Sequence, residues 1–362
     1  MVKIVVVAGD KSGDIYGGLL CKKIKDKFSQ VQIFSFGGSQ LSQHSRQVIN
    51  LLDVSVSGIF EVFSSLFNII RNYKETLEEI DNIKPDLVIL IDFPDFNLRL
   101  AKELNNRYHL LYYVSPQVWA WRKKRIEVIK KYVNKMVVIF RFEEVFYRDH
   151  GMTTLYFGHP LLELVTKKNV ETKKIISFMP GSRKNEIKNH LPVMIESKKI
   201  LEKDFPNHHF RIIRPENIEK DFYSKFTNSI EIIEHSYGAI EESEFIITAS
   251  GTATVELAIL EVPFLIIYKL NNLTWQILKN MVNIKFIGMV NILSGKKVVE
   301  ELIQKEATAK NIADQTWFLL KDRIKYRNLK NELKKIKETL SPQGATDKFS
   351  DYIGKFLDLP PR

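Results

Sequence analysis

Several stretches of this 362-residue chain hold side chains whose types and spacing could do chemistry. Asp92-Phe93-Pro94-Asp95-Phe96-Asn97 sets two carboxylates three apart. At a strand exit, one of them could act as a general base. The same spacing also suits Asp92 as an N-cap, with Asp95 in the first helical turn facing the dipole. Met179-Pro180-Gly181-Ser182-Arg183 and Ala249-Ser250-Gly251-Thr252-Ala253-Thr254-Val255-Glu256 read as strand–turn–helix junctions. Gly and Ser let backbone N–H groups approach a phosphate, and Arg183 can grip it bidentately. Glu256 stands four residues after Thr252, not the three of a capping box, so a role toward ribose hydroxyls is open to it. Two such turns in one domain favour a nucleoside diphosphate over a lone phosphate. Gly9-Asp10-Lys11-Ser12-Gly13-Asp14 is a further turn that suits a phosphate or sugar. Its G-x-x-x-G spacing is neither a dinucleotide fingerprint nor a Walker A loop, and a plain βα turn explains it equally well.

Two stretches suggest contact with lipid. Val114-Ser115-Pro116-Gln117-Val118-Trp119-Ala120-Trp121 runs into the four cations Arg122, Lys123, Lys124 and Arg125. Tryptophan anchors at membrane interfaces and cations meet anionic headgroups there. Base stacking with phosphate contacts is the nucleic-acid alternative. A buried tryptophan beside a solvated basic helix face is the plainest one. Upstream, Phe60, Phe63, Phe67 and Ile70 share a stripe at helical spacing, widened by Ile59, Val62, Leu66 and Ile69. Such a helix is either core or an exposed apolar patch, and core is the default.

The elements that must position these residues follow an α/β rhythm. Val2–Ala8, Gln32–Phe36, Leu87–Ile91, His109–Val114 and Lys135–Ile139 read as strands with helices between, the first helix being Asp14–Lys27. After a break at Gly158–Thr172 the rhythm restarts with Lys174–Met179, His209–Ile213, Ile230–Ile233, Phe245–Ala249 and Pro263–Tyr268. Apolar runs without alternation, separated by helices, mean parallel sheets covered on both faces. From about Thr308 the chain reads as Lys- and Glu-rich helices. The expected organisation is residues 1–165 meeting lipid, 166–340 binding a nucleoside diphosphate, and a helical tail at 341–362.

Composition bounds the partners. A hydrophobic share of 44% is that of a globular chain. The net charge of +11 favours an anionic partner: nucleic acid, a membrane surface or a phosphorylated substrate. A single cysteine, Cys21, excludes an internal disulfide and a cysteine-rich zinc site. The histidines form no H-x-x-x-H pair, so no metal is expected. No G-x-S-x-G elbow occurs. No apolar run approaches a membrane span, and the short apolar start Ile4–Ala8 is no secretory signal. A cytosolic protein that meets a membrane only at its surface fits.

The stretches AGDKSGD (Ala8–Asp14), IDFPDFN (Ile91–Asn97), YVSPQVWAWRKKR (Tyr113–Arg125), FGHP (Phe157–Pro160), MPGSRKNEI (Met179–Ile187) and SGTATVELA (Ser250–Ala258) resemble, in order, the lipid-A-disaccharide synthase family. The resemblance implies two Rossmann-like domains facing a cleft, of the GT-B glycosyltransferase type. It implies metal-free, cofactor-free, inverting transfer of 2,3-diacylglucosamine from its UDP derivative to 2,3-diacylglucosamine 1-phosphate, giving a β-1,6-linked disaccharide phosphate and UDP. Carried over by motif, Asp95 is the base. Arg183, Ser250, Gly251, Thr252, Glu256 and Asn291 hold UDP. Ser12, Gly13, Asp14, Ser115, Gln117 and Trp119 contact sugar or acceptor. Phe60, Phe63, Phe67, Ile70 and Trp121, with Arg122, Lys123, Lys124 and Arg125, face acyl chains and the anionic inner-membrane surface. Val290 stands where the family usually has proline, and Asp10 replaces a glutamate. Competing readings are a UDP-sugar epimerase of the same architecture and a non-catalytic membrane-surface protein. A nucleic-acid-binding role lacks any helix-turn-helix, finger or RNP signature. The oligomeric state stays open, a homodimer among the alternatives.

Overall fold

A computed structural model describes residues 1–52, 62–120, 122, 124–270 and 285–362, with backbone alone for 62–69. The chain forms two compact units: Met1–Glu163 together with Pro342–Arg362, and Leu164–Ser341.

The first unit is built on seven parallel strands: β1 (Val2–Ala8), β2 (Val31–Phe36), β3 (Arg46–Ile49), β4 (Leu87–Ile91), β5 (His109–Tyr113), β6 (Lys135–Val138) and β7 (Thr154–Tyr156). Their order is β3-β2-β1-β4-β5-β6-β7. The Val and Ile runs of β1 and β4 are buried because helices cover both faces of the sheet. β1 and β4 lie side by side, so the strand order reverses between them. In an open parallel sheet a ligand crevice opens there, at the carboxyl ends.

The second unit repeats the plan with β8 (Lys173–Met179), β9 (His209–Arg214), β10 (Glu231–Glu234), β11 (Ser243–Ala249), β12 (Phe264–Tyr268) and β13 (Glu301–Ile303), ordered β10-β9-β8-β11-β12-β13. Here the reversal lies between β8 and β11. The turns at Gly181 and Gly251 leave those two strands.

Three strands escape the sequence reading: β3, β7 and β13. Each is an edge strand of three or four residues, too short for a periodic signal. The C-terminal residues differ from expectation more. They are not a separate tail: the helix Ala345–Phe356 packs on the helix Lys11–Lys27. Phe28 sits so close under Gly354 that a Cβ there would come within 2.1 Å of its ring. Lys23 pairs with Asp347 at 2.8 Å and Phe28 bridges Pro361.

Candidate active site

In the first unit the strand exits bring Asp10, Asp92 and Asp95 to the β1–β4 reversal. Asp92 and Phe93 both take left-handed backbone conformations, with φ of 42° and 47°. Val114, at the exit of β5, does the same at 63°, a costly conformation for a β-branched residue. Strain of this kind persists only where the surroundings enforce it. The Asp92 carbonyl accepts from Tyr112 Oη at 2.6 Å and Asn97 Nδ2 at 2.8 Å. The Phe93 ring lies over Gly9, where a Cβ would come within 2.1 Å, so only glycine fits there.

The two motif aspartates have different surroundings. Burial and the neighbouring Asp10 push the Asp92 carboxyl up to about 7, against the pull of the Phe93 backbone N–H and Arg125. Asp95 is largely exposed on the first turn of the helix Pro94–Leu104. Its Oδ1 accepts from Arg122 at 2.9 Å and from Arg125. Two of the four cations expected to face a membrane therefore hold this carboxylate. Lys124 is exposed, at the N-cap of the helix Arg125–Tyr132.

Asp14 is placed otherwise than expected. It is buried, and its carboxylate accepts from the backbone N–H groups of Gly38, Gln40 and Leu41 at 2.7, 3.0 and 3.2 Å. It holds the loop after β2 instead of reaching a sugar. Gly13 lets the helix approach closely, since a Cβ would meet Asp10 Oδ1 at 2.7 Å. Ser12 is half-buried beside it and Gln117 is exposed. Ser115 is buried, with its hydroxyl 2.8 Å from Tyr147 Oη. Trp119 donates to Glu143 Oε1 at 3.3 Å and meets the Phe142 ring edge-on at 5.1 Å.

Glu143, which no motif flagged, is buried, and burial pushes it up to about 8 despite hydrogen bonds from Phe140 N–H and Trp119. His159 of the FGHP stretch is buried between Tyr16 and Phe140, and burial drives it down to about 3. Phe60, Trp121 and Lys123 lie outside the described residues, as do the side chains of Phe63 and Phe67. Ile70 is exposed.

In the second unit, Arg183 caps the helix Lys184–Asp204 and points its side chain into solvent. Glu186 Oε2 accepts from Ser182 N–H at 2.9 Å and Arg183 N–H at 3.3 Å, folding the turn around Gly181. Gly181 has φ 129°, and a Cβ there would strike the Glu186 side chain at 2.6 Å. His190 pins this turn from behind. It is buried, with Nδ1 2.8 Å from the Pro180 carbonyl, while Nε2 accepts from Lys269 N–H at 2.9 Å. That pattern fixes a neutral ring protonated on Nδ1, and burial lowers its pKa accordingly.

At the neighbouring exit, Thr252 caps the helix Ala253–Leu260, Ser250 donates to the Ile287 carbonyl at 3.0 Å, and Gly251 follows it. Glu256 lies in that helix's first turn, with His235 Nε2 at 3.3 Å from its Oε2. His235, at the exit of β10, has no sequence signal beyond its position after a strand. Asn291 is a correction. It is wholly buried, donates to Val299 O and Glu301 Oε1, and accepts from the N–H groups of Val298 and Val299. Its amide is fully engaged inside the protein and has nothing left for a nucleotide.

Two parallel α/β units, each with a glycine turn at its strand-order reversal, define the class: the GT-B architecture shared by glycosyltransferases and nucleotide-sugar epimerases. Among solved structures, the UDP-GlcNAc 2-epimerase from Neisseria meningitidis bound to UDP-GlcNAc matches with TM-score 0.68 at 12% identity, over 98% of this chain and all of that one. The calicheamicin glycosyltransferase CalG4 matches with TM-score 0.63 at 11% identity, over 99% and 98%. These likenesses show the fold. A family model described as lipid-A-disaccharide synthetase matches residues 4–349. Lipid-A-disaccharide synthase 1 of Legionella pneumophila (strain Philadelphia 1) is 33% identical over 97% of this chain and 96% of its own. The synthase of Persephonella marina is 33% identical over 98% of both. The chain belongs to the lipid-A-disaccharide synthase family and is a disaccharide-forming glycosyltransferase. Among the described residues no helix is long and apolar enough to cross a membrane.

Proposed function

We propose that the chain moves 2,3-diacylglucosamine from its UDP derivative onto the 6-hydroxyl of 2,3-diacylglucosamine 1-phosphate, with inversion, using Asp95 as base. The observation that carries this reading is the Asp95–Arg122–Arg125 cluster at the exit of β4. Inversion requires one base on the face opposite the leaving UDP. Arg122 and Arg125 suit the acceptor's phosphate, which competes with Asp95 for them. Acceptor binding then frees the carboxylate to take the hydroxyl proton. Arg183 and the Ser250–Gly251–Thr252 turn hold the diphosphate and offset the charge that builds as UDP departs. Glu256 reaches the ribose, backed by His235. Ser12, Gly13, Ser115, Gln117 and Trp119 shape the sugar pocket, and Asp14 shapes it through the loop after β2. Ile70, in the stripe with Phe60, Phe63 and Phe67, meets acyl chains at the cytoplasmic face of the inner membrane.

Asp92 offers a second base, because its carboxyl is raised close to neutral. The test is UDP release with both acylated sugars, read with mass spectrometry of the product. The disaccharide phosphate should form only when both are present. Asp95→Asn should abolish it while UDP still binds. A near wild-type rate in that variant with loss in Asp92→Asn transfers the role to Asp92. Turnover of UDP-N-acetylglucosamine without acceptor would establish an epimerase instead.

A further inference from the structure

In the second unit the helices Ala309–Lys321 and Arg323–Thr339 meet at Asp322, whose Oδ1 accepts from the N–H groups of Ile324 and Lys325, both at 3.0 Å. Three large apolar side chains stand out from this corner: Trp317 is 43% exposed, Phe318 49% and Ile324 72%. The exposure is not a packing fault. The inner faces of the same helices are buried through Ile312, Ala313, Leu320, Leu329, Leu333 and Ile336. An apolar cluster left outside a complete core marks a contact surface.

Charge identifies the contact. The helix Arg323–Thr339 carries seven Lys and Arg against two Glu. Lys321, Arg323, Lys325 and Arg327 ring the corner, and Lys334 and Lys335 continue along the exposed side. The Lys325 ammonium lies 3.4 Å from the centre of the Phe318 ring. Aromatic side chains interleaved with long cations suit the boundary between headgroups and acyl chains. A second copy of this chain suits it badly, because two-fold self-contact would set this basic helix against itself. Asp204 and Asp314 line the groove beside Trp317 and bound the patch there.

We propose that this corner is a docking surface for an anionic lipid bilayer, with Trp317, Phe318 and Ile324 entering the headgroup layer and the surrounding cations meeting lipid phosphates. It is separate from the stripe that includes Ile70 and does not depend on the catalytic reading.

The experiment is flotation of the full chain with vesicles of phosphatidylglycerol and phosphatidylcholine, against phosphatidylcholine alone. Two variants are compared, W317S/F318S/I324S and R327E/K334E/K335E. Each should float at least fivefold less with anionic vesicles, while turnover of detergent-dispersed substrates is unchanged. Flotation of both variants like wild type would overturn the proposal. So would an unchanged flotation accompanied by a drop in oligomeric state of the apolar variant, which would make the corner a self-association face. Should the serine variant misfold, the charge variant, altered only at exposed positions, decides alone.

Discussion

Asp95 lies at a helix N-terminus and between two guanidinium groups. Replacing it with Asn keeps the shape and removes the proton acceptor. The expected loss in kcat is roughly a hundred- to ten-thousand-fold, with UDP affinity by calorimetry within twofold of wild type. Asp92 makes the opposite case. Its carboxyl is raised from the ordinary range to about 7 by burial and Asp10, so the native state holds that proton more tightly than the unfolded chain. The stabilisation is full below pH 4 and is lost as pH climbs through 7. In Asp92→Asn this loss disappears, so the variant should gain on wild type by on the order of 2 kcal/mol between pH 5 and 8 in urea titrations. An unchanged pH slope would show that Asp92 does not carry it. The sequence displayed both carboxylates and their spacing of three. It could not tell which is shielded, because that depends on left-handed turns at Asp92 and Phe93 and on Asp10 arriving from another strand. Asn291 was misread for a related reason: motif alignment does not reveal that every atom of its amide is engaged by Val298, Val299 and Glu301.

At the scale of elements, the two glycine turns of the second unit were legible because Gly, Ser and Arg follow apolar β-branched runs. What aims the first turn was not. His190 sits a full helix turn beyond Glu186 and looks like any buried helix residue, yet it ties the exit of β8 to that of β12. His190→Leu leaves the Pro180 carbonyl and the Lys269 N–H unpaired, at a cost of about 1–3 kcal/mol. If the tie serves Arg183, UDP affinity should fall about tenfold in His190→Leu, and little further when His190→Leu is added to Arg183→Ala. Such non-additivity is what a shared task produces. Additive losses in UDP titrations would mean that His190 supports only the fold. His190→Gln, which keeps a donor and an acceptor, should recover part of the affinity. The edge strands β3, β7 and β13 escaped notice because three or four residues cannot show a period. One of them still supports a site: Glu301 of β13 accepts from the N–H groups of Ile287 and Gly288, and Ser250 donates to the Ile287 carbonyl.

Across the whole molecule, the chain's return to its first unit is the feature least visible in sequence. A helical end with no strand signal reads as an appendage. In the fold, Ala345, Phe349, Ile353 and Leu359 are buried in the unit where the chain began. Phe349 packs on Tyr113 at 4.9 Å and on Phe157 at 5.7 Å between ring centres. Gly158, at φ 113°, approaches Pro342 so closely that a Cβ would meet its carbonyl oxygen at 2.0 Å. Fully burying Phe349, Ile353 and Leu359 is worth about 1.5–3 kcal/mol each. Their sum rivals the 5–15 kcal/mol that holds a typical domain. Stopping the chain after Ser341 should therefore unfold the first unit, even though its seven strands are all present. The second unit, Leu164–Ser341, keeps every contact of its own core and should survive. Limited proteolysis with peptide mapping separates the cases. Cleavage confined to residues 1–163, with residues 164–341 resistant, is the expected pattern. Uniform resistance of both units would show that the C-terminal helix is dispensable, and uniform digestion would show that the two units fold only together.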